Sequence, residues 1–384
     1  MEKTKNVPVL RFPEFKGEWE HKILSKIFTI SAGGDIGNEN VSPTQNDIFK
    51  YPIYANAEKG KGLYGFSDIF KINENVLTVA GRGVNLGIAH ARDHKFYPIV
   101  RLLVLKPKNG ENIFFFEYCI NNLNILLEST GVPQLTAPQI SNYSVCSPST
   151  NEQEKIASFL KVVDNKLNNL KKKKTLLEQY KKGVMQKIFS QELRFKDDNE
   201  KEFPKWEKKK LGAVSLINPK SEKLPDTFIY IDLESVVNGV LLKEEIIEFT
   251  NAPSRAQRLL RSGDVLFQMV RPYQMNNLYF DKEGDYVAST GYAQIRTSNN
   301  SKFIFQYLHY QEFVNEVIER CTGTSYPAIN STDLGNILIK LPCKDEQTKI
   351  ANFLSSIDEK INLCNIQIEK TEQYKKGLLQ KMFV

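Results

Sequence analysis

Glu152-Gln153-Glu154-Lys155-Ile156-Ala157-Ser158-Phe159-Leu160 and Glu346-Gln347-Thr348-Lys349-Ile350-Ala351-Asn352-Phe353-Leu354 are one stretch written twice. The copies run over residues 152–189 and 346–383, a shift of 194, with 19 of 38 positions identical and no gap. They close alike, on Glu178-Gln179-Tyr180-Lys181-Lys182-Gly183 and Glu372-Gln373-Tyr374-Lys375-Lys376-Gly377. Chance does not supply such a match, so the chain is a duplicated unit of about half its length, and a repeat decides the fold before anything else.

Each copy reads as a long helix. Apolar positions spaced 4, 3, 4, 3 give Ile156, Leu160, Val163, Leu167, Leu170, Lys174, Leu177, Lys181, Val184 and Ile188. In the second copy they give Ile350, Leu354, Ile357, Ile361, Cys364, Ile368, Thr371, Lys375, Leu378 and Met382. A period of 3.5 held over five heptads is a coiled-coil seam. No proline interrupts it, and 38 residues span roughly 57 Å. A helix with one apolar stripe must bury it, and the obvious partner is the other copy, antiparallel and pseudo-two-fold. Gly183 and Gly377 lie inside the pattern and read either as fraying or as close approach of another chain. Lys171-Lys172-Lys173-Lys174 reads first as a solvated helix face and second as a DNA patch.

The repeat fades outward. Thr130-Gly131 and Thr322-Gly323 precede short apolar strands that end near Pro148 and Pro342. Leu10-Arg11-Phe12 with Trp19 matches Leu193-Arg194-Phe195 with Trp206. Between these marks the halves look unrelated, so the order is variable, shared, variable, shared. The expected organisation is a strand-rich domain over 1–150, a helix over 151–190, a second domain over 191–345 and a helix over 346–384.

Composition limits the rest. Hydrophobic residues make up 41% and charged residues 25%, which suits a globular chain. No apolar run of 18 residues appears, and the first residues lack a secretory signal, so no membrane association is expected. Five cysteines, with no CxxC spacing, point to a reducing cytoplasm. The formal charge of +7 permits a polyanionic partner.

In the variable segments Ile53–Ala57, Val76–Val79, Leu102–Leu105, Phe228–Ile231 and Val265–Phe267 read as strands. Phe114–Leu127 and Phe303–Arg320 read as helices. Both segments are therefore strand-rich α+β domains. Two unlike domains alternating with two near-identical helices resemble the specificity subunit of type I restriction-modification systems. Tyr51-Pro52-Ile53-Tyr54-Ala55-Asn56, Gly65-Phe66 and Leu77-Thr78-Val79-Ala80-Gly81-Arg82-Gly83 resemble one class of its target-recognition domain. Gly263-Asp264-Val265-Leu266-Phe267-Gln268-Met269-Val270-Arg271-Pro272 resembles another. The Glu-Gln helix openings and Tyr-Lys-Lys-Gly closings resemble its conserved regions, and the resemblance covers essentially the whole chain. Ala55 departs from it, because members often have Gly after the Tyr.

The resemblance implies a non-catalytic subunit reading an asymmetric, two-part target in double-stranded DNA. Two methyltransferase subunits would dock on the helices, at positions such as Gln179, Tyr180, Gln373 and Tyr374. Restriction-translocase subunits would join them, and S-adenosylmethionine, ATP and Mg would belong to the partners, none to this chain. Bases are read by Arg or Lys on guanine and Asn or Gln on adenine. Arg82, in a flexible Gly-Arg-Gly turn, with Asn85, Lys59 and Lys61, forms the first candidate set. Arg271, Tyr273, Gln274 and Asn276 form the second. For the two arginines the alternative is a structural bond to loop carbonyls. The helices would act as a ruler between the half-sites.

Enzyme readings find little. No Asn-Pro-Pro-aromatic methyltransferase motif and no phosphate loop occur. Asp93-His94-Lys95 is a nuclease-like triplet that arises easily by chance. His90 and His94 are four apart, but Ala91 stands where a zinc protease has glutamate, so no catalytic or metal residue is expected. A coiled-coil scaffold explains the helices but not the domains. A decoy that inhibits restriction would carry the same sequence marks.

Overall fold

The computed structural model describes residues 6–57, 59–123, 125, 133–220 and 223–384. Helix α1 spans Thr150–Phe189 and helix α2 spans Lys344–Met382. All twenty seam positions are buried or half-buried. The chain divides into two compact units, residues 1–171 with 367–384, and residues 172–366.

In the first unit Asp164 of α1 bonds Lys375 of α2 at 2.6 Å, and Lys171 bonds Glu372 at 2.7 Å. Positions that rise along α1 therefore meet positions that fall along α2, so the segments pair antiparallel. Their apolar side chains do not form a free-standing coil. Ile156, Leu160, Leu378 and Met382 join Phe28, Leu77, Leu105, Phe115 and Phe116 in one core.

That core lies under a four-stranded antiparallel sheet. Its strands are β1 (Phe28–Ala32), β2 (Val76–Ala80), β3 (Ala89–Arg92) and β4 (Leu102–Pro107), in the order β1-β4-β2-β3. β2 is buried along its whole length, which is why Val-Leu-Thr-Val-Ala reads as an unbroken apolar run rather than an alternating one. A second sheet orders Val41–Ser42, Leu63–Ser67, Tyr51–Tyr54 and Tyr97–Pro98, the last two parallel. A short ribbon, Glu20–Ile23 with Ser144–Ser147, leads into α1.

The second unit repeats this plan. Its antiparallel sheet holds β5 (Ser215–Ile217), β6 (Val265–Gln268), β7 (Leu278–Tyr279) and β8 (Tyr292–Thr297), in the order β5-β8-β6-β7. Its second sheet orders Ile246–Glu248, Thr227–Ile231, Tyr286–Ser289 and Ala256–Leu259, with the middle pair parallel. The ribbon Glu207–Lys210 with Leu338–Leu341 leads into α2. Met185, Ile188 and Phe189 of α1 share a core with Ile350, Leu354 and Ile357 of α2 and Phe267 and Phe303 of the domain. Lys181 of α1 bonds Asp358 of α2 at 2.7 Å.

Two helix expectations are corrected. The span Phe303–Arg320 is two helices, Ser301–Tyr307 and Gln311–Glu319. In one continuous helix Leu308 would point away from the stripe of Tyr310, Phe313, Val314 and Val317. The break buries all five, with Leu308 fully enclosed. The span Phe114–Leu127 is a helix over Ile113–Asn121, started by Asn112, whose side chain accepts from the Phe114 and Phe115 amides. Residues 124 and 126–127, like Thr130-Gly131, lie outside the described residues.

Gly183 and Gly377 sit within helix that continues to Phe189 and Met382. A Cβ on either would meet nothing within 4 Å among the described residues.

Candidate nucleic-acid interface

The repeat marks scattered through the sequence come together at the start of each long helix. In the first unit the buried Glu152 carboxylate accepts from Arg11 Nε and Nη2 at 2.8 Å each and from Trp19 Nε1 at 3.3 Å. In the second, Glu346 accepts Arg194 at 3.1 and 2.7 Å and Trp206 Nε1 at 2.9 Å. Fork-on-carboxylate pairing with an added indole donor satisfies a charge that burial would otherwise penalise.

The next residue does the same for neutral groups. Gln153 donates to Pro148 O at 3.1 Å and accepts from Asn112 N at 3.0 Å. Gln347 donates to Pro342 O at 2.8 Å and accepts from Asn300 N at 3.0 Å. Each Gln thus ties the end of the ribbon to the cap of the short helix. Further along, Asp164 accepts from Tyr118 Oη at 2.6 Å and Asp358 from Gln306 Nε2 at 2.7 Å, beside their lysines. Burial and the Asp164 bond push the Tyr118 phenol well above its ordinary pKa.

On this repeated frame sit turns that differ. In the first unit Asn56 is a pin: its side chain accepts from Gly81 N at 2.9 Å and donates to Val100 O at 3.0 Å. Gly81 O accepts from Leu135 N at 2.8 Å. A Cβ on Gly81 would collide with the carbonyls of Arg101 and Leu135, the latter at 2.9 Å, so only glycine fits. The Gly81-Arg82-Gly83 turn is therefore clamped at its first residue, while Gly83 has open space around it. Arg82 is exposed, and its guanidinium has no partner among the described residues.

Asn85 donates to Ala57 O at 3.1 Å, which joins this turn to the neighbouring loop carrying Lys59 and Lys61. Both lysines are exposed. Lys61 has φ +55, and its carbonyl accepts from Arg92, which is buried with its guanidinium 3.5 Å over the Tyr54 ring. Burial lowers the Arg92 pKa. The four first-domain positions thus occupy two adjoining turns. Asn85 has a structural bond, and the two lysines and Arg82 face solvent.

In the second unit Arg271, Tyr273, Gln274 and Asn276 occupy one turn. Arg271 has φ +53 and its guanidinium lies 4.3 Å over the exposed Tyr326 ring. Its loop bond is made by the backbone amide, to Pro327 O at 2.8 Å, so the side chain is held by a ring rather than by a carbonyl. Tyr273 is exposed. Gln274 Oε1 accepts from the buried Gln268 at 2.9 Å, and Asn276 Oδ1 accepts from Asn238 N at 3.1 Å. Those two amides brace the turn.

The proposed docking residues lie on open helix faces. Gln179 and Gln373 are exposed, and Tyr180 and Tyr374 are 53% and 55% exposed. Within Lys171–Lys174, Lys171 and Lys174 have carboxylate partners, in keeping with a solvated helix face. The rejected enzyme motifs have other neighbours: His94 bonds Tyr54 Oη at 3.0 Å, His90 lies 3.5 Å from Glu117, and Lys95 covers Phe70. No helix among the described residues is long and apolar enough to cross a membrane.

Sequence reasoning missed Tyr326, whose only signal was an aromatic after Thr322-Gly323, and it missed the turn at Ile99–Leu102.

The model of the type I restriction modification DNA specificity domain matches this chain twice, at residues 16–179 and 204–373. The MjaVIII specificity subunit of Methanocaldococcus jannaschii is 26% identical over 80% of this chain and 78% of its own. A candidate type I specificity subunit of Mycoplasma pneumoniae is 34% identical over 33% of this chain. That match, and a second one from the same organism, span only 35% and 45% of those relatives. A crystal structure of the type I S subunit from M. genitalium superposes with a TM-score of 0.69 at 17% identity, covering 98% of this chain and 99% of that one.

Proposed function

The chain belongs to the family of type I restriction modification DNA specificity domains, and from that premise we propose that it is the DNA-reading specificity subunit of a type I restriction-modification complex. The carrying observation is the contrast within each unit between a repeated buried frame and non-repeated exposed turns. A frame that positions two readers needs to be constant; the readers themselves need to differ if the two half-sites differ.

In this reading the first domain reads one half of an asymmetric target in double-stranded DNA and the second reads the other. Arg82 and Arg271 are the leading base contacts, and Lys59 and Lys61 serve phosphates. The seam lengths of α1 and α2 set the gap between half-sites. The exposed Gln-Tyr pairs, at equivalent places on both helices and each beside an open glycine, suit two equal methyltransferase subunits, to which restriction-translocase subunits add. Methyl transfer, ATP use and cleavage belong to those partners with their S-adenosylmethionine, ATP and Mg. This chain holds no cofactor, carries out no chemistry and works in the cytoplasm.

The test is methylation mapping in cells that carry the chain with its methyltransferase. The expected result is one asymmetric, two-part motif, of which replacing residues 1–150 by another member's domain changes one half only. A palindromic motif, or a change in both halves, overturns the reading.

A further inference from the structure

The turn Ile99-Val100-Arg101-Leu102 takes the chain from the second sheet of the first unit into β4. Leu102 N closes it on Ile99 O, and both central residues have positive φ, +33 at Val100 and +60 at Arg101. Such a turn favours Asn-Gly, because L side chains crowd the backbone there, and a β-branched residue is among the worst occupants. Glycine is the easy occupant of such a backbone. In the second unit the connection from Tyr286–Ser289 into β8, Thr290-Gly291, makes no such demand, because neither residue has a positive φ.

The first unit instead holds the strained turn from every side. Val100 N donates to Gly34 O at 3.1 Å, Gly33 N to Leu102 O at 2.7 Å, and Asn56 to Val100 O at 3.0 Å. Strain persists only where the surroundings over-determine it, and it concentrates at functional positions. Val100 is 51% exposed, and the exposed Arg101 guanidinium has no partner among the described residues. Asn56 and the glycine-only approach of Gly81 to the Arg101 carbonyl set this turn directly beside the Arg82 turn.

We infer that Val100-Arg101 is a base-reading tip of the first domain, acting with Arg82 on the major groove of duplex DNA. Each guanidinium offers a fork of donors that fits guanine O6 and N7, and the valine methyls fit the thymine C5-methyl. Rigid mounting matters because bidentate contacts discriminate only when the fork is held in register. The inference rests on the DNA-reading function proposed above.

The full-length chain, assembled with methyltransferase subunits, is used to select from a randomised duplex library. Arg101→Ala is expected to relax one position of one half-site by about 10- to 100-fold in preference while leaving the other half-site intact. The double variant Val100→Asn with Arg101→Gly relieves the strain, so it is expected to melt no lower than wild type and yet lose the same position. A folded variant whose motif is unchanged overturns the inference alone. So does a uniform fall in affinity for all sequences with a reduced salt slope, which marks a phosphate contact. A wild-type complex without sequence preference sinks the underlying function as well.

Discussion

Strand β2 of the first unit runs into Gly81-Arg82-Gly83, and strand β6 of the second runs through Met269-Val270 into Arg271-Pro272. The sequences share only the opening Val-Leu of each strand and one arginine, yet the strands hold the same place in the same sheet order. Each turn is also tied by a bridge to the segment before the last short helix, Arg82 to Gln134 and Val270 to Ala328. The two units are thus alike where they are buried and different where they meet solvent. Buried polar clusters explain the asymmetry. An enclosed Glu must keep its Arg and Trp, because leaving any of them unpaired is costly. A solvated turn has water as an alternative partner and can diverge.

The largest test of this comparison removes the buried carboxylates one at a time. Glu346→Ala should destabilise the second unit by about 3 kcal/mol and Glu152→Ala the first by a similar amount. Unit-resolved hydrogen exchange in urea reads the two separately. A loss spread evenly over both units would mean that the frames are not independent.

Acid should separate the units in another way. His309 of the second unit bonds Phe305 O at 2.8 Å. Burial, then the charge of Lys181, lowers its pKa to about 4 from the ordinary 6.5. The folded ring stays neutral while the unfolded one takes a proton, so the contribution is complete above pH 6.5 and is lost as pH falls towards 4. The second unit is expected to lose about 2 kcal/mol across that window, because the ring is partly open to water. Lowering the pH from 7 to 4.5 should bring its exchange forward relative to the first unit. His309→Gln should abolish the difference, and an identical acid response in wild type and variant would remove His309 from the account.

The smallest effect sharpens the likeness. Lys181–Asp358 and Lys375–Asp164 are equivalent half-buried pairs, one with Gln306 beside it and the other with Tyr118. Double-mutant cycles should give about 0.5–1 kcal/mol for each. Coupling energies that differ by more than that would show that the neighbours, not the repeated pair, set the strength.

The helices were legible because their signal is local. A 3.5-residue period depends on spacing along one segment, and it marked all twenty seam positions, the lysines included. The strands were legible where burial on both faces made apolar runs, as in β2. The broken helix over 301–319 was not, because a pattern in one window does not reveal that the chain must break for Leu308 to enter the same core as Tyr310, Phe313 and Val317. Arg11, Trp19 and Glu152, like Arg194, Trp206 and Glu346, stand in the sequence as separate repeat marks and not as clusters. Arg11 and Glu152 are 141 residues apart, and Arg194 and Glu346 are 152 apart.

The sequence by itself therefore determined the duplication, the two helices, their seams and the alternation with strand-rich domains, since periodicity and identity are properties of the linear chain. Only the tertiary structure decided which side chains brace a turn and which stand free on it. Gln274, Asn276 and Asn85 are the same residue types as base readers, and one end of each amide is held by a neighbour that no spacing rule connects to it. Arg101 looked like any residue between two strands. Its position depends on Asn56, Gly34 and Gly81, which meet it through three separate stretches of backbone, and long-range closure of that kind leaves no period to read.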